Sequence, residues 1–180
     1  MLYPARHGRG GVHKGDDVTK WAVCVCVALI VSGGAPVRGQ QNARDPIIGA
    51  WTLNLVQSKF PPGMPGIPKA QTEVYRESPP GRIELAFSRV LVDGSAMNLT
   101  IVWPASGGAV QYVQGTPTPG ETLVETRLAP GDWLVTYMRE GAQYATMRKV
   151  VSADGRTLRQ TYTTVLQGKP IEIVAVMDRQ

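Results

Sequence analysis

Beyond Pro68 the sequence is cut by turn-forming residues about every 8–12 positions, and this spacing rules out most folds. The cuts are Pro79-Pro80-Gly81, Asp93-Gly94, Gly107-Gly108, Pro117-Thr118-Pro119-Gly120, Ala129-Pro130-Gly131-Asp132, Glu140-Gly141, Asp154-Gly155 and Gln167-Gly168-Lys169-Pro170. No window of helical length shows a 3.6-residue period with caps. Between the cuts the residues alternate instead. Residues 82–92, for example, set Ile83, Leu85, Phe87, Arg89 and Leu91 against Glu84, Ala86 and Ser88. Ten candidate strands result, at 49–55, 69–76, 82–92, 96–103, 109–113, 121–128, 133–139, 142–152, 157–165 and 171–179. Every connection but the first is short, so neighbours in sequence become neighbours in space. Left flat, such a meander exposes two strand edges, and closing it removes them. The expected fold is all-β: an up-and-down antiparallel meander over 49–180, closed into a barrel of about 8–10 strands.

The first strand begins at Gly49-Ala50-Trp51 and alternates Trp51, Leu53 and Leu55 with Thr52 and Asn54. Ahead of it, residues 1–39 are expected to be a secretory signal peptide. Arg6, Arg9, Lys14 and Lys20 form its basic region, Trp21 to Val31 its unbroken apolar run, and Val37-Arg38-Gly39 its cleavage site. That run is well short of the roughly 20 residues a membrane span needs. Residues 40–48 are expected as a flexible tail. The chain is therefore placed outside the cytoplasm, periplasmic or secreted, without stable membrane insertion of its mature part. Residues 61–68, Pro61-Pro62-Gly63-Met64-Pro65-Gly66-Ile67-Pro68, read as a stiff extended loop, because proline fixes φ and removes donors.

Removing the leader takes away both cysteines (Cys24, Cys26) and both histidines (His7, His13). A disulfide, a cysteine nucleophile, a Ser-His-Asp triad and a His/Cys zinc site all go with them. Three units of the net charge of +5 also belong to the leader. The remainder shows no basic cluster interleaved with aromatics, so a nucleic-acid partner is not expected. The carboxylates Glu121, Glu125, Asp132, Glu140 and Glu172 are scattered and read as solvated hairpin faces. No catalytic set, metal site or cofactor is expected.

The strand pattern and the Gly49-Ala50-Trp51 opening resemble the calycin group of lipocalins, fatty-acid-binding proteins and avidin-like barrels. A closer resemblance is to exported bacterial lipocalin-like proteins of uncharacterised family. It rests on Trp51-Thr52-Leu53-Asn54, Ser58-Lys59-Phe60 before a proline-rich loop, the Val150 to Leu158 stretch, and Val174-Ala175-Val176 near the end. The resemblance implies a lipocalin-like barrel and names no ligand. In lipocalins an arginine lies across the tryptophan, a role open here to Arg179 or Arg148. A lipocalin-type Thr-Asp-Tyr is missing; Val135-Thr136-Tyr137 does not match it. Gly49 and Trp51 are expected to form the barrel floor, with Trp51 under a cationic side chain.

The late strands hold the candidate binding residues. Trp133, Val135, Tyr137 and Arg139 share a face, as do Tyr144, Thr146 and Arg148, and Leu158, Gln160 and Tyr162. Turned inward, these faces line a largely apolar, aromatic cavity with a few polar groups. The candidate ligand-binding set is Trp133, Tyr137, Arg139, Tyr144, Arg148 and Tyr162, with an arginine to meet a ligand carboxylate as in fatty-acid-binding proteins. The opposite faces (Leu134, Met138, Met147, Val151) are also apolar, and a one-residue shift in parity exchanges inside for outside. Two functions follow. The first is an exported protein, not an enzyme, that holds a small, mostly apolar molecule in its barrel. The second is a solidly packed barrel that meets a partner protein through the proline-rich loop, in the manner of a protease inhibitor.

Overall fold

The structure is a computed structural model that describes residues 44–62, 64, 66–166 and 168–180. The expected signal peptide at 1–39 and the start of the tail at 40–43 lie outside these residues. Eleven strands make one antiparallel sheet: β1 Gly49–Leu53, β2 Pro68–Ser78, β3 Arg82–Leu91, β4 Ala96–Pro104, β5 Gly108–Ala109, β6 Gln111–Gln114, β7 Glu121–Ala129, β8 Asp132–Arg139, β9 Ala142–Val151, β10 Thr157–Leu166 and β11 Lys169–Arg179. There is no helix among the described residues. The lateral order is β5-β7-β8-β9-β10-β11-β1-β2-β3-β4-β6. Except at the seam it is a simple meander, with β1 inserted between β11 and β2.

The two ends of that order are consecutive in the chain, separated by Val110 alone. One bent segment therefore joins them. Gly108 and Ala109 pair with Glu125 and Val124 of β7, and the Val110 N–H donates to the Leu123 carbonyl at 3.0 Å. Gln111 and Tyr112 then pair with Val102 and Ile101 of β4. The sheet thus forms a nearly closed barrel, and the single strand expected at 109–113 is two strands with different partners. The switch begins at Gly107, with φ of +96°, where an added Cβ would lie 2.9 Å from the Glu125 carbonyl oxygen. Only glycine lets the backbone enter so close to β7.

Alternation along each strand sends one set of side chains inward. Ile83 and Leu85 of β3, Ile101 and Trp103 of β4, Trp133 and Val135 of β8, Leu158 of β10 and Met177 of β11 are all buried. Each contributes about 1.5–3 kcal/mol by leaving water. Strand β2 differs, because its inward residues are Gln71, Glu73 and Tyr75, all buried.

Residues 45–48 are part of this packing rather than the end of a loose tail. Ile47 and Ile48 are buried in the core. The Asp45 carboxylate fixes the segment, accepting from the N–H groups of Ile47 (3.0 Å) and Gly131 (3.2 Å) and facing the Arg127 guanidinium at 3.0 Å. After β1 the chain stays attached to β11: Lys59 bridges Val174, and the Ser58 hydroxyl accepts from the Val176 N–H at 3.0 Å. The proline-rich loop then rejoins the sheet where the Val92 N–H donates to the Ile67 carbonyl at 3.1 Å and Pro68 is buried.

Candidate functional site

The inner face has three levels, the first two meeting where Trp51 of β1 pairs with Glu73 of β2. At the first, Trp51 is wholly buried and its indole N–H donates to the Ile47 carbonyl at 2.8 Å. Arg179 lies across the ring, its guanidinium carbon 4.1 Å from the ring centre. Arg179 also donates to the carbonyls of Gly155 (2.5 Å), Ile48 (3.0 Å) and Pro46 (2.5 Å). A Cβ on Gly49 would lie 2.4 Å from Arg179 Nη1, which is why glycine stands two residues before the tryptophan. Of the two arginines open to this role, Arg179 takes it. Every polar atom named at this level is spent on holding the end of the barrel together.

The second level is a polar layer inside the barrel. Glu73 accepts from Gln71 Nε2 (2.6 Å), the Tyr75 hydroxyl (2.5 Å) and Gln160 Nε2 (2.7 Å), and Arg89 Nε donates to Gln71 Oε1 at 2.7 Å. Beside this cluster Lys149 and Glu125 form an ion pair at 2.6 Å with side chains 2% and 1% exposed. Lys149 Nζ stands 5.2 Å from the Trp103 ring centre and 5.5 Å from that of Tyr75. Trp103 in turn meets Tyr75 and Trp133 edge-on, with ring centres 6.3 and 6.2 Å apart. Burial pushes the Tyr75 hydroxyl well above the usual tyrosine range, and the Glu73 charge adds to it. Burial likewise lowers Arg89, against the raising influence of the Glu73 charge. Three atoms here are buried without a hydrogen-bond partner among the described residues: Trp103 Nε1, Trp133 Nε1 and Glu125 Oε2.

The third level, at the end away from Trp51, is a tyrosine cluster. Tyr137 meets Tyr162 and Tyr144 edge-on, with ring centres 5.4 and 6.1 Å apart. The Tyr144 hydroxyl donates to Glu121 Oε2, which also lies 3.9 Å from Arg139 Nη2. The Arg139 guanidinium stacks 4.7 Å from the centre of the Tyr144 ring. Tyr144 reaches this cluster because the β8–β9 register slips there: Tyr137 faces Ala145 and Met138 faces Gln143, leaving Tyr144 opposite no residue. This is a β-bulge, which re-aims a side chain. Burial raises the hydroxyl pKa of Tyr137, Tyr144 and Tyr162, with the Glu121 hydrogen bond and charge adding to the effect at Tyr144.

Of the six residues expected to bind ligand, five are brought to the inner face or its rim. Trp133 is in the second level, and Tyr137, Tyr144, Tyr162 and Arg139 make up the third. Arg148 is not among them. It is exposed and forks onto Asp132 across the outer face, at 3.0 and 2.7 Å. The parity expected for β9 is corrected here: Ala145 and Lys149 point inward, so Thr146 and Arg148 point out, and only the bulge brings Tyr144 back. Glu125, expected on a solvated face, is 1% exposed. Gln71, Glu73 and Lys149 were not singled out by sequence reasoning. For β2 a signal existed, since neither face of Gln71 to Tyr75 is apolar throughout, and a barrel strand must turn one of them in. For Lys149 there was none, because a lysine beside Val150 and Val151 reads as an outward residue.

Two clefts open on the surface near the Trp51 end. One, of about 570 Å³, is lined by Pro46, Pro130, Asp154, Arg156 and Arg179. The other, of about 680 Å³, is lined by Arg44, Glu77, Pro79, Arg82 and Arg127. Neither touches the six expected residues. Among the described residues no cluster of three or more His, Cys, Asp or Glu could hold a metal ion. No described helix is long and apolar enough to cross a membrane.

No protein-family model matches the chain. A search of characterised proteins by sequence also finds no match. Solved structures do match in fold. Wild-type fluorescent protein UnaG superposes with a TM-score of 0.53 at 10% identity, covering 74% of this chain and 97% of that one. A single-substitution mutant of UnaG gives 0.53 at 9% identity, covering 75% and 96%. Identities this low show shared architecture alone: the chain has the same kind of antiparallel β-barrel as UnaG.

Proposed function

We propose that this chain is an exported carrier that binds a small molecule on the inner face of its barrel, and that it is not an enzyme. The observation that supports this best is the tyrosine cluster of Tyr137, Tyr144 and Tyr162. These are large aromatic side chains turned toward the inside at the end away from Trp51, only partly buried, and bordered by Arg139 and Glu121. Covering them with a largely apolar ligand body would contribute about 25 cal/mol per Å² of apolar area removed from water. The polar layer beneath gives a second reason. Buried polar and charged groups are seldom the most stable way to fill a core, and apolar replacements of similar volume are often as stable or more so. That the barrel keeps a Glu–Gln–Gln–Tyr cluster and a Lys–Glu pair at its centre supports a recognition role beside packing. Export is supported by the basic and apolar runs within residues 1–39.

The test is native mass spectrometry of the full chain, expressed with its own N-terminal segment and taken from the extracytoplasmic fraction, before and after organic extraction. A co-purifying mass removed by extraction is expected. Replacing Tyr137 and Tyr162 together by alanine should weaken an apolar fluorescent probe roughly tenfold or more, the loss of two aromatic contacts. If no mass co-purifies and no apolar probe quenches tryptophan fluorescence, the carrier reading fails. Unprocessed chain confined to the cytoplasm would remove the export reading.

A further inference from the structure

We infer that the head of the ligand is an uncharged group with both an acceptor and a donor, of the carboxamide, lactam or imide class, held by Trp103, Trp133 and Glu125. This rests on the carrier reading and specifies its deeper contact. Three of the four buried side-chain atoms without a hydrogen-bond partner among the described residues lie in the polar layer, two indole N–H groups and one carboxylate oxygen; the fourth, Asp45 Oδ2, faces the Arg127 guanidinium near the Trp51 end. The first three belong to one cluster: the two indoles touch edge-on at 6.2 Å, and Lys149 Nζ lies 5.2 Å from the Trp103 ring and 2.6 Å from the other oxygen of Glu125. An indole N–H can only donate, and a carboxylate can only accept. A group that satisfies all three must therefore offer lone pairs to the indoles and an N–H or O–H to Glu125 Oε2.

Charge excludes the simpler alternatives. A carboxylate head would serve the indoles but would meet the Glu125 carboxylate at close range, where like charges disfavour each other strongly. The inner cations are already engaged. Lys149 is paired with Glu125, Arg139 faces Glu121, and Arg89 donates to Gln71 beside the Glu73 carboxylate. Of the two candidate arginines, the other, Arg148, is committed to Asp132 on the outside. A cationic head would serve Glu125 but would leave both indole donors unpaired and would face Lys149. A neutral amide-like edge meets none of these penalties.

The experiment is calorimetric titration of the full chain with three probes that share one aromatic body: a naphthalene carboxamide, the matching carboxylate, and naphthylmethylammonium, all at neutral pH. The carboxamide should bind at least about tenfold more tightly than either charged probe, the value of one or two buried hydrogen bonds. Trp103→Phe and Trp133→Phe keep a ring and remove the N–H, and should each weaken the carboxamide several-fold while leaving naphthylmethylammonium, which accepts nothing from an indole, unchanged. Glu125→Gln should raise the carboxylate relative to the carboxamide by about tenfold, so the assignment remains testable if one tryptophan variant fails to fold. Equal or tighter binding of the carboxylate overturns the head-group assignment. So does carboxamide affinity unmoved in the folded variants, which would leave the indoles to bound water only. If none of the probes binds and no mass co-purifies, the carrier reading itself fails, and the assignment with it.

Discussion

Trp51 and Trp133 are both wholly buried and both lie near an arginine, but their surroundings differ in kind. The Trp51 N–H is bonded to Ile47, and Arg179 above it spends its donors on three backbone carbonyls. The Trp133 N–H has no partner among the described residues, and Arg127 stands farther off, 5.9 Å from the ring centre. The same residue type thus closes the barrel at one level and leaves hydrogen-bonding capacity free at the next. A tryptophan's burial does not say which role it plays; the bookkeeping of its one N–H does.

The difference can be tested by substitution at each level. Trp51→Ala should have the largest effect, a loss of about 3–5 kcal/mol of stability in urea unfolding, as for other buried aromatics. If the floor is purely structural, whatever protein remains folded should still bind the probes. Lys149→Met should cost about 3 kcal/mol or more, because it strands the Glu125 charge inside the barrel. Adding Glu125→Leu should recover most of that loss, and a double variant no more stable than the single one would show that the ion pair does not explain the cost. Gly49→Ala should destabilise by about 1–3 kcal/mol, since its methyl group meets the Arg179 guanidinium and the floor must shift. The tyrosines predict a pH effect. Their folded pKa values are raised above 10.0, so protonation favours the folded state. The contribution is fully present below the unfolded pKa and is lost as pH climbs through the folded values. The unfolding midpoint should fall as pH rises above about 10, and absorbance titration should show tyrosines that ionise only on unfolding. Arg148→Ala should have the smallest effect, no more than about 1 kcal/mol, since its fork onto Asp132 is exposed. A larger loss of stability or of binding would return Arg148 to the site.

The strands were legible because turn residues mark nearly every connection, and nine of the ten expected segments correspond to single strands. The tenth split at Val110, because a change of hydrogen-bonding partner leaves no mark on side-chain alternation. The floor was legible as Gly49-x-Trp51, although only the close approach of Arg179 to Gly49 explains the glycine. The inner face was harder to read. On β8 and β10 the aromatic face is the inner one, as it was for Trp133, Tyr137 and Tyr162. On β9 both faces carry apolar and basic residues, so Arg148 and Lys149 could not be told apart from the sequence. Their roles depend on partners 16 and 24 residues away, Asp132 and Glu125. Tyr144, read on one face with Thr146 and Arg148, parts from them and meets Tyr137 through a bulge that reverses its parity.

A closed sheet behaves mechanically as a hoop, and a hoop opens at its join. Here the join is the bent segment from Gly108 to Gln114, held by brief ladders to β7 on one side of Val110 and β4 on the other. Apart from the short β1, which pairs β11 at three positions and β2 at four, the walls are zipped along nearly the full length of long strands, as between β2 and β3 or β10 and β11. The thinnest backbone pairing in the ring therefore lies at this join and along β1.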